Sequence, residues 1–349
     1  MNPNMPYYPP YGSYIPIPPE ELQKQAERAA LKRRGAGIGL GIIGMLAVSF
    51  ALSALLFGVA FAVAADYHNG NPDFQYLNPT LYYVLYMVLY VLMVVLPFAV
   101  LIPIFHLRVR DVCPLRRTAH PGIIVLAAVG GLAVCMVSNW MTNEYVTVLS
   151  AFGIENAPAE MPIDESITGH ILYFVTIAIL PAIAEEFAFR GVVFRLLRPY
   201  GKTLAIFGSA FVFGLMHGNV VQIPFAFVIG LFFGYVVAET ESILPVMAMH
   251  FLNNGFSVLQ EFMQERMTES AAVHMIYVSY LLAILIGGAA LILVLRRDPH
   301  FFRGQEDCVT QLDNRTKFRA FAVNPGMIAA YVVIGIEVLL ALDWGIQWR

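Results

Sequence analysis

Charge is scarce in this chain. Of 349 residues, 13% are Asp, Glu, Lys or Arg and 58% are hydrophobic, where a soluble domain is about a quarter charged and about half apolar. Mean hydropathy is +0.67, so the solvent of the fold is read as lipid. A net charge of −3, with no basic run interleaved with aromatics, excludes a nucleic-acid groove. Cysteine is almost absent. Cys113, Cys135 and Cys308 show no CxxC or Cys/His pairing, which excludes a disulfide framework and a thiolate metal site and leaves free thiols. No Gly-rich phosphate loop follows a strand, no internal repeat is visible, and the HExxH signature is missing. The start also lacks the basic segment, immediate apolar run and small-residue cleavage site of a signal peptide. Residues 3–19 are instead rich in Pro and Tyr, a composition expected to give an extended tail.

Long apolar runs are what the chain does have. A bilayer core about 30 Å thick requires about 20 apolar residues of helix. Nine segments answer to that length, at roughly 36–65, 81–105, 122–141, 169–197, 203–217, 222–238, 243–262, 273–295 and 326–343. The fifth and sixth are short and joined only by Gly218 to Val221, which suggests a tight helical hairpin that need not fully cross. The expected fold is therefore all-α, a polytopic transmembrane bundle of eight to nine helices with segments four to eight as its core. Short cytoplasmic loops should hold the Lys and Arg residues. With the N-terminus inside, Lys32-Arg33-Arg34, Arg108 to Arg117, Arg190 to Lys202 and Arg296 to Arg319 all fall on the inner side, and only Arg266 and Arg349 of the 21 basic residues fall outside. The outer loop 142–168 is acidic, with Glu144, Glu155, Glu160, Asp164 and Glu165.

Ionisable residues inside spanning segments are expensive, and each is a candidate for function. The fourth segment carries Pro181-Ala-Ile-Ala-Glu185-Glu186-Phe-Ala-Phe-Arg190. On a helix Glu186 and Arg190 share a face and can pair, while Glu185 projects about 100° away and is left free. Taken alone, this is equally a buried ion pair with a spare acid. The next segments add Phe213-Gly-Leu-Met-His217 and His250-Phe-Leu-Asn-Asn254, each with its end residues on one helical face. Measured from the inferred cytoplasmic ends, Glu185, His217, His250 and Asn254 lie roughly 12 to 22 Å deep and can share one layer.

These three motifs, in this order, resemble the signature of the CAAX prenyl protease and bacteriocin-processing family of intramembrane peptidases, over about residues 165–262. The resemblance implies an endopeptidase in which Glu185 activates water as general base, Glu186 and Arg190 form a structural pair, His217 positions or polarises the water, and His250 with Asn254 stabilises the oxyanion. The division is physically sensible, because fixed donors aimed at an oxyanion are worth most where water is scarce. Phe213 is expected to pack, and Asn253 is a weaker polar candidate. The family has been read both as metalloprotease and as metal-independent glutamate protease. Glu185, His217 and His250 would ligate a metal such as zinc if one is used, and the same side chains serve either mechanism.

The resulting layout is a Tyr/Pro-rich cytoplasmic tail and polar helix at 1–34, transmembrane segments at 35–160, the catalytic core at 165–296, a basic cytoplasmic loop at 297–325 and a last transmembrane segment at 326–349. The tail and the lack of eukaryotic sorting signals fit a bacterial plasma membrane, where prenylated substrates are not expected. Membrane lipid and a membrane-associated peptide or protein are the expected partners. Two other classes stay open: a transporter or scaffold whose buried Glu, Arg and His bind a ligand or relay protons, and a bacteriocin self-immunity factor. Glu337 reads as a cavity-facing or helix-pairing acid without a catalytic role, Asp343 lies near the outer end of that segment, and Glu239 and Glu241 read as solvated at the inner mouth of segment six.

Overall fold

The computed structural model describes residues 18–65, 79–114, 121–154, 166–301 and 310–341, and among them it holds helices and no strand. The long helices are α1 (Pro19–Ala65), α2 (Pro79–Ala99), α3 (Pro121–Ala151), α4 (Ile167–Tyr200), α5 (Lys202–Leu215), α6 (Gln222–Thr240), α7 (Leu244–Arg266), α8 (Glu269–Arg297), α9 (Asn314–Ala322) and α10 (Pro325–Ala341). The Tyr/Pro tail through residue 17, loop residues 155–165, Cys308 and Asp343 lie outside the described residues. Cys135 is buried, Cys113 is half-buried, and both are free.

Within the described residues, each of the nine predicted segments is helical. Among the described residues six helices are long and apolar enough to cross a membrane, and a seventh is added if α9 and α10, bent by 60° between them, count as one span. The chain is thus a multi-pass membrane protein with fewer full spans than segment counting gave. Two segments account for the difference. Helix α5 has 14 residues and rises about 21 Å. Helix α7 has 23 residues, enough length, but its His, Asn, Gln and Glu side chains make it too polar to face lipid all round. It is sheltered by α3 and α4.

Local sequence explains the boundaries. Pro19 opens α1 with Glu20 and Glu21 in the first turn, a favourable start for the helix dipole. No proline interrupts the helix, so the polar stretch read at residues 20–34 runs unbroken into the apolar run. Ser166 caps α4 by accepting from Gly169 N at 3.0 Å. Asp313 caps α9 by accepting from Thr316 N at 2.8 Å, and Asn324 caps α10 by accepting from Met327 N at 3.0 Å. Helix α9 lies inside the stretch 297–325, read as a basic loop.

One core joins these helices. It runs from Leu31, Ile38 and Ile42 of α1 through Phe189, Val192, Val212, Phe233 and Val246 to Met327 and Ile334 of α10. The outer helices therefore pack on the central ones as one body. Close approach of α1 and α10 needs small residues, as is usual where lipid gives helices no hydrophobic reason to associate. A Cβ on Gly326 would come within 2.7 Å of Ala36 Cα, and Gly39 faces the same contact from the other side.

Candidate active site

The site begins where α4 departs from regular geometry. Residues 175–179 and 187–193 are π-helical, flanking an α-helical Leu180–Glu186. Pro181 has no N–H, so the Ile177 carbonyl loses its α-helical donor, and such defects widen the helix. Asn254 Nδ2 fills that need from α7, donating to Ile177 O at 3.0 Å. Its Oδ1 accepts from Asn253 Nδ2 at 3.1 Å, and Asn253 Oδ1 accepts from Asn139 Nδ2 of α3 at 3.3 Å. One amide proton of Asn254 is therefore committed to holding α7 against α4, a task the motif did not reveal.

Next along α4, Glu186 Oε1 accepts from Arg190 Nη1 at 2.9 Å, with both side chains fully buried. The same oxygen is 2.8 Å from His250 Nδ1. The guanidinium carbon of Arg190 lies 4.1 Å from the ring centre of Phe213 and 5.3 Å from that of Phe233, so two aromatic faces help hold a buried cation. Phe213 packs here, against Arg190, His217 and His250.

Glu185 turns to the other side, yet it is not free. Tyr90 of α2 donates its hydroxyl proton to Glu185 Oε1. The second oxygen, Oε2, stands 3.8 Å from His250 Nε2. His217 follows the end of α5, and its Nδ1 is 2.9 Å from Phe213 O. A carbonyl only accepts, so Nδ1 carries the proton and Nε2 of a neutral His217 is an acceptor. Glu185, His217, His250, Asn253 and Asn254 all line one cavity of about 540 Å³, together with Tyr86, Tyr90, Asn139 and Thr176, a size usual for small-ligand sites. Glu186 and Arg190 lie behind its wall.

Several residues stand differently from their sequence reading. The tyrosines of α2, which the sequence did not single out, stack as Tyr82, Tyr86 and Tyr90 with centroids about 6 Å apart and bring two hydroxyls to the cavity. Their spacing of four residues was the available signal. Glu239 is part-buried and pairs with Lys202 at 3.4 Å, where a solvated acid was expected. Glu337, by contrast, faces a cavity as read, a second one of about 670 Å³ between α1 and α10, and its carboxyl packs against Gly218.

A catalytic zinc site takes three protein ligands. Among the described residues no three His, Cys, Asp or Glu side chains are grouped so as to hold an ion. Glu185 and His250 approach one another, but His217 does not complete a shared set with them.

Residues 167–256 match the family model described as type II CAAX prenyl endopeptidase Rce1-like. That span includes Glu185, Glu186, Arg190, His217, His250 and Asn254, and it excludes Tyr90 and Asn139. No curated protein and no solved structure matches the chain.

Proposed function

We propose that this chain, whose residues 167–256 match the family model of the Rce1-like type II CAAX prenyl endopeptidases, hydrolyses a peptide bond of a membrane-associated peptide or protein with Glu185 as general base. The carrying observation is that Glu185 Oε2 faces His250 Nε2 across 3.8 Å on the wall of a cavity enclosed by the bundle. A water in this cavity donates one hydrogen bond to Glu185 Oε2 and another to His217 Nε2. As its oxygen attacks the substrate carbonyl, its proton passes to Glu185 and the carbonyl becomes a tetrahedral oxyanion.

His250 gives Nδ1–H to Glu186, so it donates from Nε2 into the cavity only as the imidazolium, the form this reading assigns it. Nε2–H and the second amide proton of Asn254 then stabilise the oxyanion. Collapse of the intermediate breaks the C–N bond, and Glu185 returns its proton to the leaving amine. Positioned proton transfer of this kind contributes about 10²–10⁴-fold, and each oxyanion donor about 10²–10³-fold. No step calls on a metal. The membrane is read as the plasma membrane, and the basic residues near inner helix ends support an N-terminus in the cytoplasm.

The test is cleavage by the purified protein in liposomes, using membrane-anchored peptides. Glu185→Gln and His217→Ala should each cut at least about a hundredfold more slowly with an unchanged melting profile. Undiminished cleavage by Glu185→Gln would remove this mechanism.

A further inference from the structure

We propose that Tyr90 is a positioning residue for Glu185, so that α2, outside the family-matched residues, is part of the active site. The proposal rests on Glu185 being the base, as read above. Among the described residues the hydroxyl of Tyr90 makes the only hydrogen bond to the Glu185 carboxylate. It takes Oε1 and leaves Oε2 facing His250 Nε2 and the cavity.

A carboxylate turns about a soft terminal torsion, and with neither oxygen held it would present no fixed lone pair to a water. One directed hydrogen bond removes that freedom. The choice of donor matters as well. A lysine or arginine here would form an ion pair with the carboxylate and hold its charge strongly; a phenol orients it while adding no charge. The two neighbouring glutamates are thus separated by their hydrogen-bond partners: Glu186 is bonded to Arg190 and His250, whereas Glu185 is bonded to a neutral hydroxyl and meets His250 Nε2 only at 3.8 Å.

Tyr90 is itself held. Its ring stacks on Tyr86 at 6.0 Å, and Tyr86 stacks on Tyr82 at 6.1 Å. Tyr82 meets buried Tyr83 edge-on at 5.5 Å, and Tyr83 meets Tyr173 of α4 at 6.4 Å. Residues four apart lie on one helical face, so this ladder fixes the hydroxyl relative to α4, the helix that carries Glu185.

The experiment compares wild type, Tyr90→Phe, Tyr90→Ala and Glu185→Gln in liposomes with a membrane-anchored fluorogenic peptide that the wild type cleaves. Misplacing a reacting group by about 1 Å costs about 10²-fold; Tyr90→Phe should therefore lower kcat about 10- to 100-fold with KM within about twofold, and Tyr90→Ala should do the same. Wild-type kcat in Tyr90→Phe would mean that only the ring matters and would overturn the proposal, as would a raised KM at unchanged kcat. Full activity of Glu185→Gln would instead overturn the peptidase reading itself; an inactive Glu185→Gln beside a fully active Tyr90→Phe would sink the Tyr90 role alone. Infrared difference spectra supply a readout independent of turnover. The carboxylate band lost in Glu185→Gln should shift in Tyr90→Phe, and an unmoved band would overturn the hydrogen bond on which the proposal stands.

Discussion

His250 Nδ1 and Glu186 Oε1 are 2.8 Å apart, and Arg190 Nη1 approaches the same oxygen at 2.9 Å. Glu186 thus links a buried cation to a cavity-lining imidazole, and it orients the histidine as well as neutralising the arginine.

Removing one member of this group should be worse than removing two. Glu186→Gln leaves a buried guanidinium uncompensated, a change that costs about 3–5 kcal/mol in such pairs. Arg190→Met leaves the carboxylate uncompensated at a similar cost. The double variant should recover more than half of the summed loss in denaturation measured in detergent, and strict additivity would show that the pair is not coupled. Activity should not return in the double variant, because the glutamine carbonyl accepts from His250 Nδ1 without the negative charge that favours its doubly protonated form.

Asn254 and Pro181 permit a test that separates structure from chemistry. Asn254→Ala deprives the Ile177 carbonyl of its donor, at a cost of about 1–3 kcal/mol for a buried unpaired group. In a Pro181→Ala background the backbone N–H is restored, and the same substitution should cost less stability. Cleavage should stay low in both backgrounds if the second amide proton serves the oxyanion. Recovery of cleavage along with stability would leave Asn254 a purely structural role.

The turn after His217 should be intolerant of a side chain. Gly218 has φ +63, and a left-handed conformation costs a residue with a Cβ about 1–2 kcal/mol. A Cβ there would also lie 2.7 Å from Glu337 Cδ. Gly218→Ala should lower the melting midpoint and kcat together by moving His217. Adding Glu337→Ala should restore only the part due to the clash; full recovery would show that backbone conformation is not the cause.

Metal chelation supplies a fourth test. With no three-ligand group among the described residues, dialysis against EDTA should leave cleavage within about twofold of its starting value, since loss of a catalytic Lewis acid would remove several kcal/mol of transition-state stabilisation. Loss of activity restored by zinc would assign a metal role to side chains that must then move closer together.

Much of the site was legible because its chemistry sits at helical intervals. Glu186 and Arg190, four apart, had to share a face, and they pair. Glu185, one residue earlier, had to point elsewhere, and it does. Tyr90 could not be reached in this way. Its hydrogen bond joins residues 95 positions apart, and a tyrosine in an apolar helix has the same appearance in sequence whether it faces lipid, a headgroup layer or a carboxylate.

By itself the sequence determined the membrane solvent, the helical segments and the order of the three motifs, since these follow from composition, run length and spacing along one chain. Tertiary structure alone decided that α9 and α10 bend by 60° against one another, that Asn254 completes the hydrogen bonding of a helix interrupted by Pro181, and that the adjacent glutamates have different partners. Those outcomes depend on which helices pack side by side, and in a bundle whose surfaces are nearly all apolar, hydrophobic pattern does not distinguish one neighbour from another.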